Sequence, residues 1–133
     1  MNILVLNCGS SSLKFQIIET DLDLIEKNQD KQHAKGIIER IGSQSLITFQ
    51  SAGKGAAKQA VPLRDHRSAL DFLLRWMVSP DAGIPSIKSL GDIHAIGHRV
   101  VHGAEKFTRS VIIDDEVIYS TNNSTTDFLN CIR

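Results

Sequence analysis

Two stretches of this sequence carry side chains that could do chemistry on an anion. The first is Asn7-Cys8-Gly9-Ser10-Ser11-Ser12-Leu13-Lys14, a hydroxyl-rich turn between two apolar runs. Successive backbone N–H groups of such a turn can point into one concavity, and glycine admits unusual dihedral angles there. The Ser10 and Ser12 hydroxyls add rotatable donors and the Lys14 ammonium adds a point charge, so the pattern suits phosphate oxygens. Asn7 could hold a metal-bound water or a phosphate oxygen. The full P-loop spacing is absent, and the residues after the turn alternate with period 2, so no helix N-terminus backs it. An ordinary serine-rich hairpin turn has the same composition, and the turn alone leaves both readings open.

The second stretch runs from His94 to Phe107 and centres on Arg99. A planar guanidinium meets a carboxylate or phosphate through two parallel hydrogen bonds, which fits Arg99 to clamp a small carboxylic acid. Val101 would share its face of a strand and offer an apolar wall to a short alkyl group. A salt bridge at a sheet edge is the plainer role for Arg99. His94, His98 and His102 are spaced by four, as zinc ligands on a helix would be. Gly97 and the pair Val100-Val101 favour a strand instead, where positions four apart lie roughly 13 Å from one another and cannot share one ion. His98 is therefore read as a packed residue.

These groups need a scaffold, and the hydrophobic pattern supplies one. Ile3 to Leu6 and the alternating Leu13 to Ile18 predict an opening β-hairpin. Gly36 to Ile41, Ser45 to Phe49 and Ala60 to Leu63 predict further strands of a mostly antiparallel sheet. Leu70, Leu73, Leu74 and Met77 recur at helical spacing after a capping Asp65, and Pro80 stops that helix. Residues 80–85 read as a surface loop, and Ile93 to Val101 as another strand.

Composition limits the partners. Within 133 residues, Lys plus Arg and Asp plus Glu each number 15, so no net field holds nucleic acid or an anionic membrane. An anion must be gripped locally. Cys8 and Cys131 lack CxxC spacing and suggest neither a disulfide framework nor a zinc site, which predicts a cytoplasmic protein. The apolar opening is too short for a signal peptide or a membrane span.

Taken together, Asn7 to Lys14 and Gly97-His98-Arg99-Val100-Val101-His102-Gly103 resemble the acetate kinases, and Asp114 to Ile118 is similar to that family's next helix start. The resemblance implies an α/β, ribonuclease H-like N-terminal domain of the actin and sugar kinase superfamily, incomplete here, with residues 1–118 as its partial domain. Residues 119–133 would be a divergent tail, from a frameshift or early stop. It further implies ATP/ADP with Mg2+ or another divalent metal as cofactors, acetate and acetyl phosphate as substrates, and homodimers among full-length members. Asn7 would organise the metal and phosphate region. Ser10, Ser12 and Lys14 would line the phosphate path, Arg99 would hold the acyl substrate and Val101 its methyl. The family's further catalytic groups would lie downstream of this chain. A butyrate or propionate kinase, another superfamily kinase fragment, and a non-catalytic module or decayed gene product are the alternatives.

Overall fold

The structure, a computed structural model, describes residues 1–99 and 110–122, with side chains as far as residue 118 in the second stretch. Its centre is a six-stranded sheet. The strands are β1 (Asn2–Cys8), β2 (Ser12–Glu19), β3 (Lys31–Glu39), β4 (Gln44–Ser51), β5 (Ala57–Pro62) and β6 (Ala95–Arg99), in the spatial order β5-β4-β3-β2-β1-β6. The first five form an antiparallel meander, and β6 returns to lie parallel to β1. The result is a mixed, mostly antiparallel α/β sheet, as the resemblance implies.

Alternation decides the faces. Leu4, Leu6 and Cys8 of β1, Leu13, Phe15 and Ile17 of β2, Ala34 and Ile38 of β3, and Ile47 and Phe49 of β4 are buried, and all share one side. Helix α2 (His66–Met77) covers that side. Asp65 caps it by accepting from the Ser68 amide at 2.8 Å, and the Ser68 hydroxyl answers to the Asp65 N–H at 3.1 Å. Ala69, Leu73 and Met77 form its buried stripe, and it ends before Pro80 as the pattern predicts. The loop after it is less superficial than its composition suggests, because Ala82, Ile84 and Ile87 are buried in the same core.

The aromatic centre of this core explains one glycine. Phe15 and Phe49 meet edge-on with ring centroids 5.0 Å apart, and Trp76 of α2 sits 4.6 Å from Phe49. A Cβ at Gly36, between them on β3, would come within 2.6 Å of Phe15 Cε1 and of the Thr48 carbonyl oxygen.

Asn2 fastens β6 to β1. Its backbone N–H donates to His94 Nδ1 at 3.0 Å, its carbonyl accepts from the His94 N–H at 2.9 Å, and its buried amide donates to the Ser86 and Asp92 carbonyls. One turn of helix, α1 (Leu22–Glu26), was not legible in the sequence: Asp21 caps it, but it is too short to show periodicity. Helix α3 (Asp115–Asn122) starts where the resemblance over Asp114 to Ile118 implies a helix start, with Asp114 accepting from the Val117 amide at 2.9 Å. It runs past Tyr119, where polar and β-branched residues predict a poor helix, so the run of helix already begun overrides single-residue propensity. Cys8 is disulfide-bonded, against the expectation from cysteine spacing. No helix among the described residues is long and apolar enough to cross a membrane.

Gly36→Ala is expected to destabilise the fold by about 1–3 kcal/mol or more through overpacking against Phe15 and the β4 backbone, read as a lower urea midpoint at unchanged slope.

Candidate functional site

Register, more than any single loop, brings the candidate residues together. Lys14 is the β2 partner of Asn7 and Arg99 is its β6 partner, so the three stand side by side on adjacent strands. Adjacent strands lie about 4.8 Å apart, which puts the row within reach of one small anion. All three occupy the face opposite α2. There they border a concavity of about 540 Å3 whose walls include Val5, Ile37 and Thr48. Lys35 also reaches it from β3, two residues along from the Lys14 row. Among the described residues three cations and no carboxylate line this cavity, so its walls favour an anion. Lys35 went unnoticed in the sequence because it lies in a polar strand opening, and only β-pairing shows which face it shares.

The serine turn sits at the carboxyl end of β1, the same end of the sheet as Arg99 on the parallel β6. Ligands of open α/β sheets gather at that end. Ser10 is exposed and Ser12 half-buried at the hairpin tip, and neither borders the 540 Å3 cavity itself. The turn closes when the Gly9 amide donates to the Ser12 carbonyl at 2.8 Å, and the Ile41 amide donates to the Ser11 carbonyl at 2.9 Å. Gly9 is not in the left-handed region, contrary to the reading of unusual dihedral angles. What it provides is room, since a Cβ there would stand 2.8 Å from Ser12 Oγ.

A residue missed in the sequence holds this turn from below. His66, buried in the first turn of α2, lies with Nε2 2.7 Å from the Gly9 carbonyl oxygen. A carbonyl can only accept, so Nε2 carries the proton. The contact spans 57 positions of sequence, which is why only its place after the Asp65 cap could have hinted at it.

His94 serves the backbone of β1, and among the described residues no three His, Cys, Asp or Glu side chains gather to hold a metal. Asn7 offers one amide oxygen between two cations. That donor set suits a position beside a hydrated ion carried by a nucleotide, not a protein-built cage. His98 alternates to the other face of β6 from Arg99 and is half-buried, and burial holds its imidazole below the ordinary histidine value, partly offset by a backbone hydrogen bond with Arg99. Val101 and His102 lie outside the described residues.

Comparison with known proteins bears on this site. The Acetokinase family model matches residues 2–126, beyond the Ile118 limit of the resemblance read from the sequence. An acetate kinase of Chloroherpeton thalassium is 52% identical over 123 residues, covering 89% of this chain and 30% of that protein. One of Solibacter usitatus is 51% identical over 118 residues. Among solved structures, the Porphyromonas gingivalis acetate kinase superposes with a TM-score of 0.79 at 33% identity, over 92% of this chain and 29% of that one. A propionate kinase from Francisella tularensis gives 0.71 at 28% identity. The chain thus spans less than a third of the relatives it matches.

The lowered His98 value has a definite sign. The unfolded chain takes the proton first as pH falls below 6.5, so stability is full above that value and declines beneath it. Asp65 and Asp92, both held below the usual 3.8 by hydrogen bonds from neighbouring backbone amides, lose their contribution only at lower pH. Urea titrations across pH are expected to show the first decline, and His98→Gln to flatten it while leaving the acid-range decline in place.

Proposed function

The chain belongs to the Acetokinase family, and from that premise we propose that it forms one wall of a cleft in which a phosphoryl group passes between ATP and acetate. The observation carrying this reading is the in-register row Lys14, Asn7 and Arg99 beside a cavity whose charged lining residues, among those described, are all cationic. The reading applies to residues 1–118.

In this reading Arg99 fixes the acid through two parallel hydrogen bonds and turns one carboxylate oxygen toward the nucleotide. Val101 meets the methyl group. Lys14, with the Ser10 and Ser12 hydroxyls, holds the terminal phosphate near the serine turn, which His66 keeps in place. The carboxylate oxygen forms a bond to the γ-phosphorus as the bond to the bridging oxygen breaks, and ADP departs with that electron pair, leaving acetyl phosphate. Catalysis of this kind is mainly alignment and neutralisation of charge. Asn7 stands where a hydrated divalent ion on the nucleotide would pass, and such an ion would supply further neutralisation there. The likeness to a propionate kinase supports a second reading, in which the acid is one carbon longer.

Acetate binding tests the row directly. Arg99→Ala is expected to weaken binding roughly ten- to a hundredfold, as loss of a charge-assisted pair costs about 1.5–3 kcal/mol, read from the line width of the acetate methyl resonance. Unchanged binding in that variant sinks the reading. A parallel titration with propionate separates the two acids. Turnover needs the opposite wall as well, so this chain alone with Mg-ATP and acetate is expected to accumulate no hydroxamate when acetyl phosphate is trapped with hydroxylamine.

A further inference from the structure

Strand register sets a second row beside the first. Two residues from Asn7 along β1 stands Val5, and the residues opposite it, taken in order across the sheet, are Gln16 of β2, Lys35 of β3 and Gln50 of β4. Side chains two apart on a strand share a face. This row therefore lies on the same side as Asn7, Lys14 and Arg99, and all four of its members border the cavity of about 540 Å3.

The row is rich in donors. Lys35 stands between Gln16 on one neighbouring strand and Gln50 on the other, and cross-strand partners on one face lie about 5 Å apart at Cβ. An ammonium has three N–H donors and a primary amide two. All three residues are exposed, and none of their side chains forms a hydrogen bond or ion pair among the described residues. An anion here would meet a cation flanked by two amides, with no donor already spent on the protein.

The size of the cavity points the same way. At about 540 Å3 it falls in the range that encloses drug-sized ligands, far more than acetate or propionate fills. Arg99 and Lys35 are three strands and two residues apart, which places their Cα atoms on the order of 16 Å from one another. Both side chains border the one cavity, and their own length takes up part of that span. Val5 and Ile37, half-buried and apolar, line the same stretch.

We infer that the cavity contains a second anion subsite, formed by Gln16, Lys35 and Gln50, and that it takes acids with a second anionic group at the far end of an apolar chain. The ligand class is an α,ω-dicarboxylate of several methylenes, with one carboxylate on Arg99 and the other on Lys35. This rests on the proposed function in one respect, that Arg99 holds the first carboxylate. A short monocarboxylate leaves the second row in water, so the row selects by chain length and distal charge together.

The test is a titration of the 15N-labelled chain with acetate, octanoate and suberate, following the side-chain amides of Asn7, Gln16 and Gln50 as separate reporters of the two rows. Acetate is expected to shift Asn7 alone. Suberate is expected to shift all three and to bind roughly tenfold more tightly than octanoate, the gain from one further charge-assisted contact. Lys35→Gln is expected to erase that advantage and to leave acetate binding as it was, because the screening length of about 8 Å at physiological salt separates the two rows' charges. Lys35→Glu is expected to make suberate the weaker ligand of the pair, and Arg99→Ala to weaken all three acids. Suberate no tighter than octanoate, an advantage that survives Lys35→Gln, or Gln16 and Gln50 amides unmoved at saturation overturns the second subsite, and the acetate reading then stands if acetate still shifts Asn7. Acetate that does not bind overturns both. Thermal melts check that the Lys35 variants fold, and the comparison of suberate with octanoate on the unaltered chain decides the matter without them.

Discussion

The parallel pairing of β6 with β1, pinned where Asn2 and His94 exchange backbone and imidazole hydrogen bonds, is the constraint on which the candidate site rests. Side chains of a strand alternate between faces, so a slip of one residue would carry Arg99 to the core side and bring His98 to the cavity. A parallel partner has no tight hairpin to set its register. The buried Asn2 amide sets it instead by gripping the Ser86 and Asp92 carbonyls of the incoming segment. A polar residue in the first position of the chain's first strand thereby determines what stands opposite Asn7, five residues on.

The two faces of the sheet divide the labour. One is packed against α2 with Phe15, Phe49 and Trp76 in mutual contact, and it makes the strands rigid. The other carries Lys14, Lys35 and Arg99, none of which forms an ion pair among the described residues. Like charges on neighbouring strands repel, and such an arrangement costs stability unless something negative lies between them. The aromatic packing behind them holds the cations in that arrangement. His66 belongs to both sides of this division, since it is part of the helix that seals the core and also the support of the Gly9 carbonyl.

Much of this could be read from residue types. The opening hairpin, the α2 stripe of Leu73 and Met77 and the Asp65 cap all obey local rules, because hydrogen bonds within a few residues decide them, whereas the start of α3 came from the resemblance. The Asn7-to-Lys14 turn and Arg99 were visible as separate motifs, and their common location came from the resemblance. Strand ends were less legible: β3 begins at Lys31, well ahead of Gly36, because pairing with β2 carries polar residues into a ladder that their propensity disfavours. The burial of Ala82, Ile84 and Ile87 under a Pro- and Gly-containing loop, and the His66 contact, depend on tertiary packing that no short window contains.

The sheet has unlike margins. β5 ends in Pro62, which has no N–H to give, and presents Lys58 along its length, both features that discourage a further strand from zipping on. β6 at the opposite margin carries Ala95, Ile96 and Gly97, with Ile96 well exposed and no charge before Arg99. Lateral growth of this sheet is accordingly polarised, blunted on the side remote from Arg99 and permissive on the side beside it.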